Sequence, residues 1–350
     1  SADVTPAATN GIVFSGGTVD TLEVSGGDLS VTVDANGGTL TQSVSIGAGT
    51  LSLWGSGLLS TSGTITLANA SSALDFRGAL NMQNVAVTAD ITDDGTKGIL
   101  FNSSGASIIN LTSSKNVTVV ANANGTIGTG PTVVTGKTFT VRGAANVGTS
   151  TTVAALGAAD AAIALKGLGT VAKLTAAIDI TAAAANGIQF DSAQTVTEID
   201  AAGYNLVVNA TGAGIITNAL NVATGDTLTL YGTGSLTATA GINVAAATAV
   251  LDIADQLTIS KVTSGTAGQD TTGALTNGIV FNANATITTL VPGVTNTQVT
   301  MNSNATIDSA YIGAYNLNIG GNGKTLSSND VGIYLASGTS SVTLWDSMDA

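Results

Sequence analysis

One pattern occurs four times along the chain, and it limits the possible folds more than any other feature of the sequence. Each copy has the form D-x-T-x5-G-I-x-F. The pattern residues are Asp3, Thr5, Gly11, Ile12 and Phe14; Asp90, Thr92, Gly98, Ile99 and Phe101; Asp179, Thr181, Gly187, Ile188 and Phe190; and Asp270, Thr272, Gly278, Ile279 and Phe281. The glycines lie 87, 89 and 91 residues apart. We therefore predict four repeats, residues 1–89, 90–178, 179–269 and 270–350, joined as one continuous unit.

Two further landmarks keep the same spacing from the pattern. A second glycine follows the pattern glycine after 43 to 45 residues. A mainly apolar tripeptide follows about 64 residues after the pattern glycine. The second glycines are Gly55, Gly143, Gly232 and Gly321. At the centre of the tripeptide, Asp75 and Asp252 are equivalent, whereas the other two copies carry Ala164 and Thr343. Three landmarks in register support a true repeat rather than a chance match.

Within a repeat, apolar residues alternate with polar ones. The segments 29–33, 51–53 and 74–76 show this period of two, which is typical of short strands with one buried face. Gly-Gly, Asn-Gly and Ser-Gly pairs between them supply turns, and the three prolines leave few gaps in a hydrogen-bond ladder. Only residues 154–185 resemble a helix in composition, and their alignment with strand-rich copies argues against one.

Two all-β architectures fit short strands in a repeat of this length. We prefer a right-handed parallel β-solenoid (β-helix), in which each repeat winds into several coils of about 20 to 25 residues. The alternative is four tandem immunoglobulin-like sandwiches. Such sandwiches usually carry a buried Trp or a tyrosine corner, but aromatic residues make up only 4% of this chain and no position is Trp in every copy. A narrow solenoid instead needs small and β-branched residues inside.

Composition excludes several classes of function. The chain has no Cys and no His, so disulfides, thiolate metal sites and imidazole catalysis are excluded. Its net charge of −13 argues against nucleic-acid binding, which needs a basic surface. A hydrophobic content of 44% argues against disorder. No apolar stretch approaches the roughly 20 residues of a transmembrane helix, and Ser1 begins a segment that looks like a mature protein.

The Asp and Thr of the pattern allow two interpretations. Asp and Thr commonly bond to backbone amides and shape corners, and we favour that role. The alternative is Ca²⁺ binding by carboxylates, for which Asp90, Asp93 and Asp94 are weak candidates because they lie close together in the second copy only. Successive copies lie too far apart in a solenoid to share one ion. We therefore expect no cofactor, with Ca²⁺ as the open alternative.

The remaining motifs do not indicate catalysis. GGNGKTL (residues 320–326) lacks the spacing of a phosphate-binding loop, and we interpret it as a turn. Solenoids that cleave polysaccharides need clustered acidic and basic residues. Here Arg77 and Arg142 do not occupy matching places, and neither do Glu23 and Glu198. We expect a protein that is not an enzyme.

The chain resembles the passenger regions of bacterial autotransporters, and among these it is most similar to rickettsial surface cell antigens. The resemblance lies in Gly-, Asn-, Thr- and Ala-rich alternating segments, in the lack of Cys, and in strings such as NGIVFNANATITTL (residues 277–290). It implies an extracellular β-helical protein on a bacterial surface. Filament and surface-layer proteins share this composition.

We therefore expect a non-catalytic structural or adhesive rod on the bacterial cell surface. Its partner would be a receptor or glycan on a host or cell surface. One alternative is a self-assembling subunit of an extracellular filament or surface layer, whose copies stack head to tail. A polysaccharide-binding or polysaccharide-cleaving β-helix is a further alternative.

Overall fold

The computed structural model describes residues 4–61, 63–91, 94–244, 246–264, 277–293 and 295–345. Within these ranges the secondary structure consists of strands and turns, without a helix. The chain divides into two compact units, Ser1–Leu174 and Thr175–Ala350. Each unit is a stack of parallel strands of the β-solenoid type.

The first unit contains nineteen described strands, and a twentieth contains its boundary. They are β1 (Ile12–Phe14), β2 (Thr18–Val19), β3 (Glu23–Val24), β4 (Leu29–Val33), β5 (Gly38–Leu40), β6 (Val44–Ile46), β7 (Thr50–Gly55), β8 (Leu58–Thr61), β9 (Ile65–Leu67), β10 (Ala73–Phe76), β11 (Asn81–Val87), β12 (Gly98–Phe101), β13 (Ala106–Ser113), β14 (Val117–Ala121), β15 (Gly125–Thr129), β16 (Thr132–Val133), β17 (Thr138–Gly143), β18 (Val147–Leu156), β19 (Ala162–Leu165) and β20 (Thr170–Ala176).

These strands form a principal sheet and a second set of ladders. The order in the principal sheet is β1-β4-β7-β10-β12-β14-β17-β19, and its described pairings are parallel. Opposite it, one ladder runs β2-β5-β8-β11-β13-β15-β18 and another joins β3, β6 and β9 to β11. Because each strand pairs with a strand one coil later, the chain winds once for every 19 to 26 residues.

The second unit contains eighteen described strands. They are β21 (Gly187–Phe190), β22 (Thr195–Asp200), β23 (Leu206–Ala210), β24 (Ala213–Ile216), β25 (Leu220–Val222), β26 (Thr227–Tyr231), β27 (Ser235–Ala238), β28 (Ile242–Val244), β29 (Val250–Ile253), β30 (Thr258–Ser264), β31 (Gly278–Phe281), β32 (Thr286–Pro292), β33 (Thr297–Met301), β34 (Ala305–Ile312), β35 (Asn316–Gly320), β36 (Leu326–Ser327), β37 (Gly332–Leu335) and β38 (Ser341–Trp345).

The second unit repeats the arrangement of the first. Its principal sheet has the order β21-β23-β26-β29-β31-β33-β35-β38, with parallel pairing. Opposite it, one ladder runs β22-β24-β27-β30-β32-β34-β37, and another joins β25 and β28 to β30. The prediction of an all-β fold with parallel stacked coils is thus confirmed. Immunoglobulin-like sandwiches consist of antiparallel sheets, and the described pairings favour the solenoid over that alternative.

The core consists of columns of apolar side chains that stack from coil to coil. One column of the first unit runs through Leu51, Leu74, Ile99, Val119 and Val141, all fully buried. Residues two positions apart in a strand share a face, so the alternation in the sequence places a second column beside the first. The Ala-rich residues 154–176 also form strands, as predicted, and their small side chains are mostly buried.

The register moves by two residues over four coils. Ile12 pairs with Val31, and the same column continues through Leu53 and Phe76 to Phe101. The Phe of the second pattern copy therefore continues the column of the first copy's Ile. The rings of Phe76 and Phe101 stack, with centroids 5.3 Å apart. In the second unit the column that starts at Ile188 likewise reaches Phe281 four coils later.

The glycine of the pattern is required by both its conformation and its surroundings. Gly98 has φ 83° and Gly187 has φ 71°, in the left-handed region that L side chains disfavour. A Cβ atom at Gly98 would collide with the carbonyl oxygen of Thr118, and one at Gly187 with that of Val207. The backbone of the following coil therefore packs directly against this position.

Three alanine substitutions separate these two causes. Gly26→Ala meets no atom within 4 Å at an ordinary φ, and we expect a change in unfolding free energy within about 0.5 kcal/mol. Gly136→Ala is equally open but has φ 63°, so we expect a loss of about 1–2 kcal/mol. Gly98→Ala adds the collision with Thr118, so it should be the most destabilising. Urea titration followed by circular dichroism gives the three values, and equal losses for Gly98 and Gly136 would contradict the packing argument.

Candidate functional site

In the second and third copies, the Asp of the pattern holds the next coil at a corner. In the second copy, the Asp90 carboxylate accepts a hydrogen bond from the backbone N–H of Asn116, at 2.9 Å. The N–H of Ile91 donates to the carbonyl oxygen of the same Asn116, at 3.0 Å. Asp90 and Ile91 thus bind both backbone groups of one residue in the following coil. Burial of the Ile91 side chain fixes this corner against the core.

The third copy repeats this geometry. The Asp179 carboxylate accepts from the N–H of Asn205 at 2.8 Å, and the N–H of Ile180 donates to the Asn205 carbonyl at 2.9 Å. In the first copy the N–H of Val4 donates to the carbonyl of Asp28. Asp3, Thr92, Asp93, Asp270 and Thr272 lie outside the described residues.

A second acidic or amide side chain extends each corner by one more coil. Asn116 accepts from the N–H of Thr138 at 2.9 Å, and Asn205 accepts from the N–H of Thr227 at 2.7 Å. Asp28 accepts likewise from Thr50 at 2.8 Å. In the fourth copy Asn296 accepts from the N–H of Asn316 at 2.9 Å. Sequence analysis missed these residues, although each lies 25 or 26 positions after a pattern Asp.

In the first and third copies, the Thr of the pattern acts through its backbone. The side chains of Thr5 and Thr181 are exposed, and their carbonyl oxygens accept from the amide groups of Asn10 and Asn186 at 3.0 Å. The Ile and Phe positions line the core. They are buried in the last three copies, whereas Ile12 in the first copy is half-buried.

Two of the three weak Ca²⁺ candidates, Asp90 and Asp94, have protein partners. Asp90 forms an ion pair with Lys137, whose Nζ lies 3.0 Å from Oδ1. Hydrogen bonding from Asn116, reinforced by Lys137, holds the pKa of Asp90 below its usual value. Asp94 accepts from the N–H of Thr96 at 2.8 Å, and this bond lowers the Asp94 pKa. Across the part of the chain that the structure describes, no three acidic residues gather as a metal site would require.

Amide side chains form ladders at a second corner. In the first unit, Asn102 donates to Asp75 at 2.6 Å and Asn122 donates to Asn102 at 2.7 Å. In the second unit the ladder begins at Asp252 and continues through Asn282, Asn302 and Asn322. Each step joins neighbouring coils, so these ladders stabilise the stack of coils at this second corner.

An aromatic–carboxylate cluster lies at the start of the first ladder. Asp75 is 2% exposed, and its carboxylate accepts from Arg77 Nε at 2.5 Å. The Arg77 guanidinium also lies over the ring of Trp54, 5.5 Å from its centroid. A buried carboxylate is costly without a cation, so Arg77 balances the charge of Asp75.

The second unit has a related cluster without the cation. Burial raises the pKa of Asp252, although the hydrogen bond from Asn282 opposes the shift. Burial, followed by the charges of Asp252 and Asp255, raises the pKa of Tyr231. The residue after Ile253 is Ala254, and neither carboxylate has an ion pair within the described ranges. Sequence analysis noted that Asp75 and Asp252 are equivalent but did not connect them with Trp54 and Tyr231.

Comparisons with known proteins found no match. No protein-family model, no curated protein and no solved structure matches the chain. The described residues also contain no helix with the length and apolarity needed to cross a membrane. The resemblance to autotransporter passengers therefore stays a prediction.

The corner geometry predicts that loss of the Asn116 amide lowers the unfolding free energy. Asn116→Ala removes the acceptor for the Thr138 N–H, and we expect a loss of about 1–2 kcal/mol in unfolding free energy. Asn116→Asp keeps the acceptor that Asp28 provides in the first copy, so it should lose less. Asn218→Ala, at an exposed side chain, is the matched control. Equal urea midpoints for Asn116→Ala and Asn218→Ala would contradict the corner role.

The raised pKa of Asp252 predicts that the stability of the protein depends on pH. Because its folded pKa is raised, its favourable contribution is complete below the unfolded value near 3.9 and is lost as pH rises through the folded value. Asp252→Asn keeps the acceptor for Asn282 without the charge. We expect its melting temperature, relative to wild type, to rise as pH increases above about 4.

Asp94→Asn serves as the control of opposite sign. The lowered pKa of Asp94 means that its contribution is present above the unfolded value and is lost as pH falls through the folded one. The difference between this variant and wild type should therefore change only below about pH 4. Parallel pH profiles for the two variants would overturn the assignment.

Proposed function

We propose that the chain is a non-catalytic structural or adhesive segment of an extracellular protein on a bacterial surface. One observation carries this proposal: polar side chains at the corners bind the backbone and amides of neighbouring coils. Asp90, Asn116 and Asn205 bind backbone N–H groups, and Asn102 binds the amide of Asn122. Side chains used in this way stabilise the coil stack and are not arranged around a substrate.

The proposal includes four right-handed repeats of four coils each. Three principal strands separate the pattern strands β1 and β12, and three separate β21 and β31. Right-handed winding follows from the general preference of parallel crossovers. The resemblance to autotransporter passengers supports surface location, and the low charged content of 9% fits a scaffold held by neutral ladders.

Surface location is tested by protease shaving of intact source cells. We expect an antibody against the chain to lose its signal after brief trypsin treatment, while a cytoplasmic marker stays intact. Protection of the chain until the cells are lysed would contradict an extracellular location.

The adhesive and non-catalytic parts of the proposal are tested with purified protein. Beads coated with the chain should bind host or bacterial cells or immobilised glycans more than beads coated with heat-unfolded chain. No polysaccharide should gain reducing ends on incubation. Release of reducing ends that Asp75→Asn abolishes would instead support the polysaccharide-cleaving alternative.

Self-assembly is a second candidate, favoured by exposed apolar side chains in β38 and β1. Leu344 in β38 is 50% exposed, although its equivalents Phe76 and Ile253 are fully buried beneath the next coil. Val13 in β1 is 59% exposed, whereas Leu100 and Val280 are 9% and 8% exposed. Pairing β38 with β1 of a second copy would cover both edges by a head-to-tail contact.

Sedimentation over a concentration series tests this candidate. Wild-type chain should associate as concentration rises, and Leu344→Lys should reduce association, with Leu168→Lys as a control at another exposed leucine. A monomer at every concentration would overturn self-assembly and leave the structural proposal in place.

A further inference from the structure

The two aromatic–carboxylate clusters occupy equivalent places in their units. Arg77 N–H donates to the Leu53 carbonyl at 2.8 Å, and Ala254 N–H donates to the Leu230 carbonyl at 2.9 Å. Trp54 and Tyr231 each come next in sequence after those two leucines and immediately before a glycine with φ near 100°. The backbone therefore places Ala254 beside Tyr231 as it places Arg77 beside Trp54.

The carboxylates and their amide partners are equivalent as well. Asn102 donates to Asp75 at 2.6 Å, and Asn282 donates to Asp252 at 2.7 Å. Each Asp begins an amide ladder on the same corner of its unit. The two clusters thus share an aromatic ring, a carboxylate and an Asn, and they differ at the two residues that follow Phe76 and Ile253.

Arg77 fills the place between the ring and the carboxylate in the first unit. Its Nε lies 2.5 Å from Asp75 and its guanidinium carbon lies 5.5 Å from the Trp54 ring centroid. One planar cation therefore makes both an ion pair and a cation–π contact. This arrangement shows which chemical group the shared frame accepts.

The second unit leaves that place to a methyl group and adds negative charge. Ala254 replaces the arginine, and Asp255 stands where the first unit has Gly78. The Asp255 carboxylate accepts from the N–H of Gly232 at 3.1 Å, which holds it beside Tyr231. Asp252 and Asp255 together carry two negative charges, and neither forms an ion pair among the described residues.

We propose that Tyr231, Ala254, Asp252 and Asp255 form a binding niche for a guanidinium group, supplied by an arginine side chain of a partner polypeptide. The guanidinium would lie over the Tyr231 ring and donate to Asp252, as Arg77 does with Trp54 and Asp75. A metal ion fits less well, because an aromatic ring offers it no ligand. The net charge of −13 further favours a basic partner.

The first test supplies the cation within the chain. Ala254→Arg should raise the melting temperature above that of Ala254→Gln, which adds similar bulk without charge. In an Asp252→Asn background the advantage of Arg over Gln should fall to less than half. An Ala254→Arg variant no more stable than Ala254→Gln would overturn the niche.

The second test uses N-acetyl-arginine amide as the probe, with the full chain in solution. Titration should shift the backbone amide signals of Gly232, Ala254 and Asp255 in heteronuclear NMR spectra. Asp252→Asn should weaken binding about tenfold, and Ala254→Arg should abolish the shifts because it fills the niche. Tyr231→Leu should weaken binding as well.

Two controls make the result decisive. Nα-acetyl-lysine amide, which keeps its side-chain ammonium, should bind more weakly, because an ammonium cannot stack on the ring as a guanidinium does. Equal shifts with the two probes would overturn the guanidinium assignment. Identical shifts in wild type and Ala254→Arg, or shifts only elsewhere, would overturn the site. The inference does not depend on surface location or on self-assembly, so their failure would leave it standing.

Discussion

Pairing between successive coils is the interaction on which each unit depends. A parallel ladder satisfies the backbone within strands, but the chain must turn several times in each coil and leaves donors outside the ladder at every corner. Asp90, Asn116, Asp179 and Asn205 accept those donors across coil boundaries. The corner side chains therefore satisfy backbone donors in the turns, as the ladders satisfy them in the strands.

The close stacking of successive coils explains the composition. Stacked coils bring backbones so close at the turns that a Cβ at Gly98 or Gly187 would strike the carbonyl of the adjacent coil. Inside, columns of Leu, Ile and Val fill the core, and Phe76 and Phe101 stack on each other in one column. Small residues at corners and medium-sized residues inside are therefore a consequence of stacking.

Side chains on the outer surface can vary because the stacked backbone of the coils does not depend on them. Trp54 with Arg77 and Tyr231 with Ala254 stand on the same backbone positions, yet one cluster is neutral and the other carries excess negative charge. Such variation on an equivalent frame is where a repeat protein can acquire a binding function without a change of fold.

Local pattern was sufficient to predict strands and turns, because a period of two and paired glycines are typical of short strands with one buried face. Parallel stacking was preferred over immunoglobulin-like sandwiches only because aromatic residues are few. Local pattern also located the pattern Asp residues, whose corner role depends on partners about 26 residues away that no local pattern reveals. The two-residue register shift and the contact of Arg77 with Trp54 and Asp75 arise only when coils stack. Contacts between coils join residues far apart in sequence, so the sequence alone placed the elements while the packed coils determined the chemistry between them.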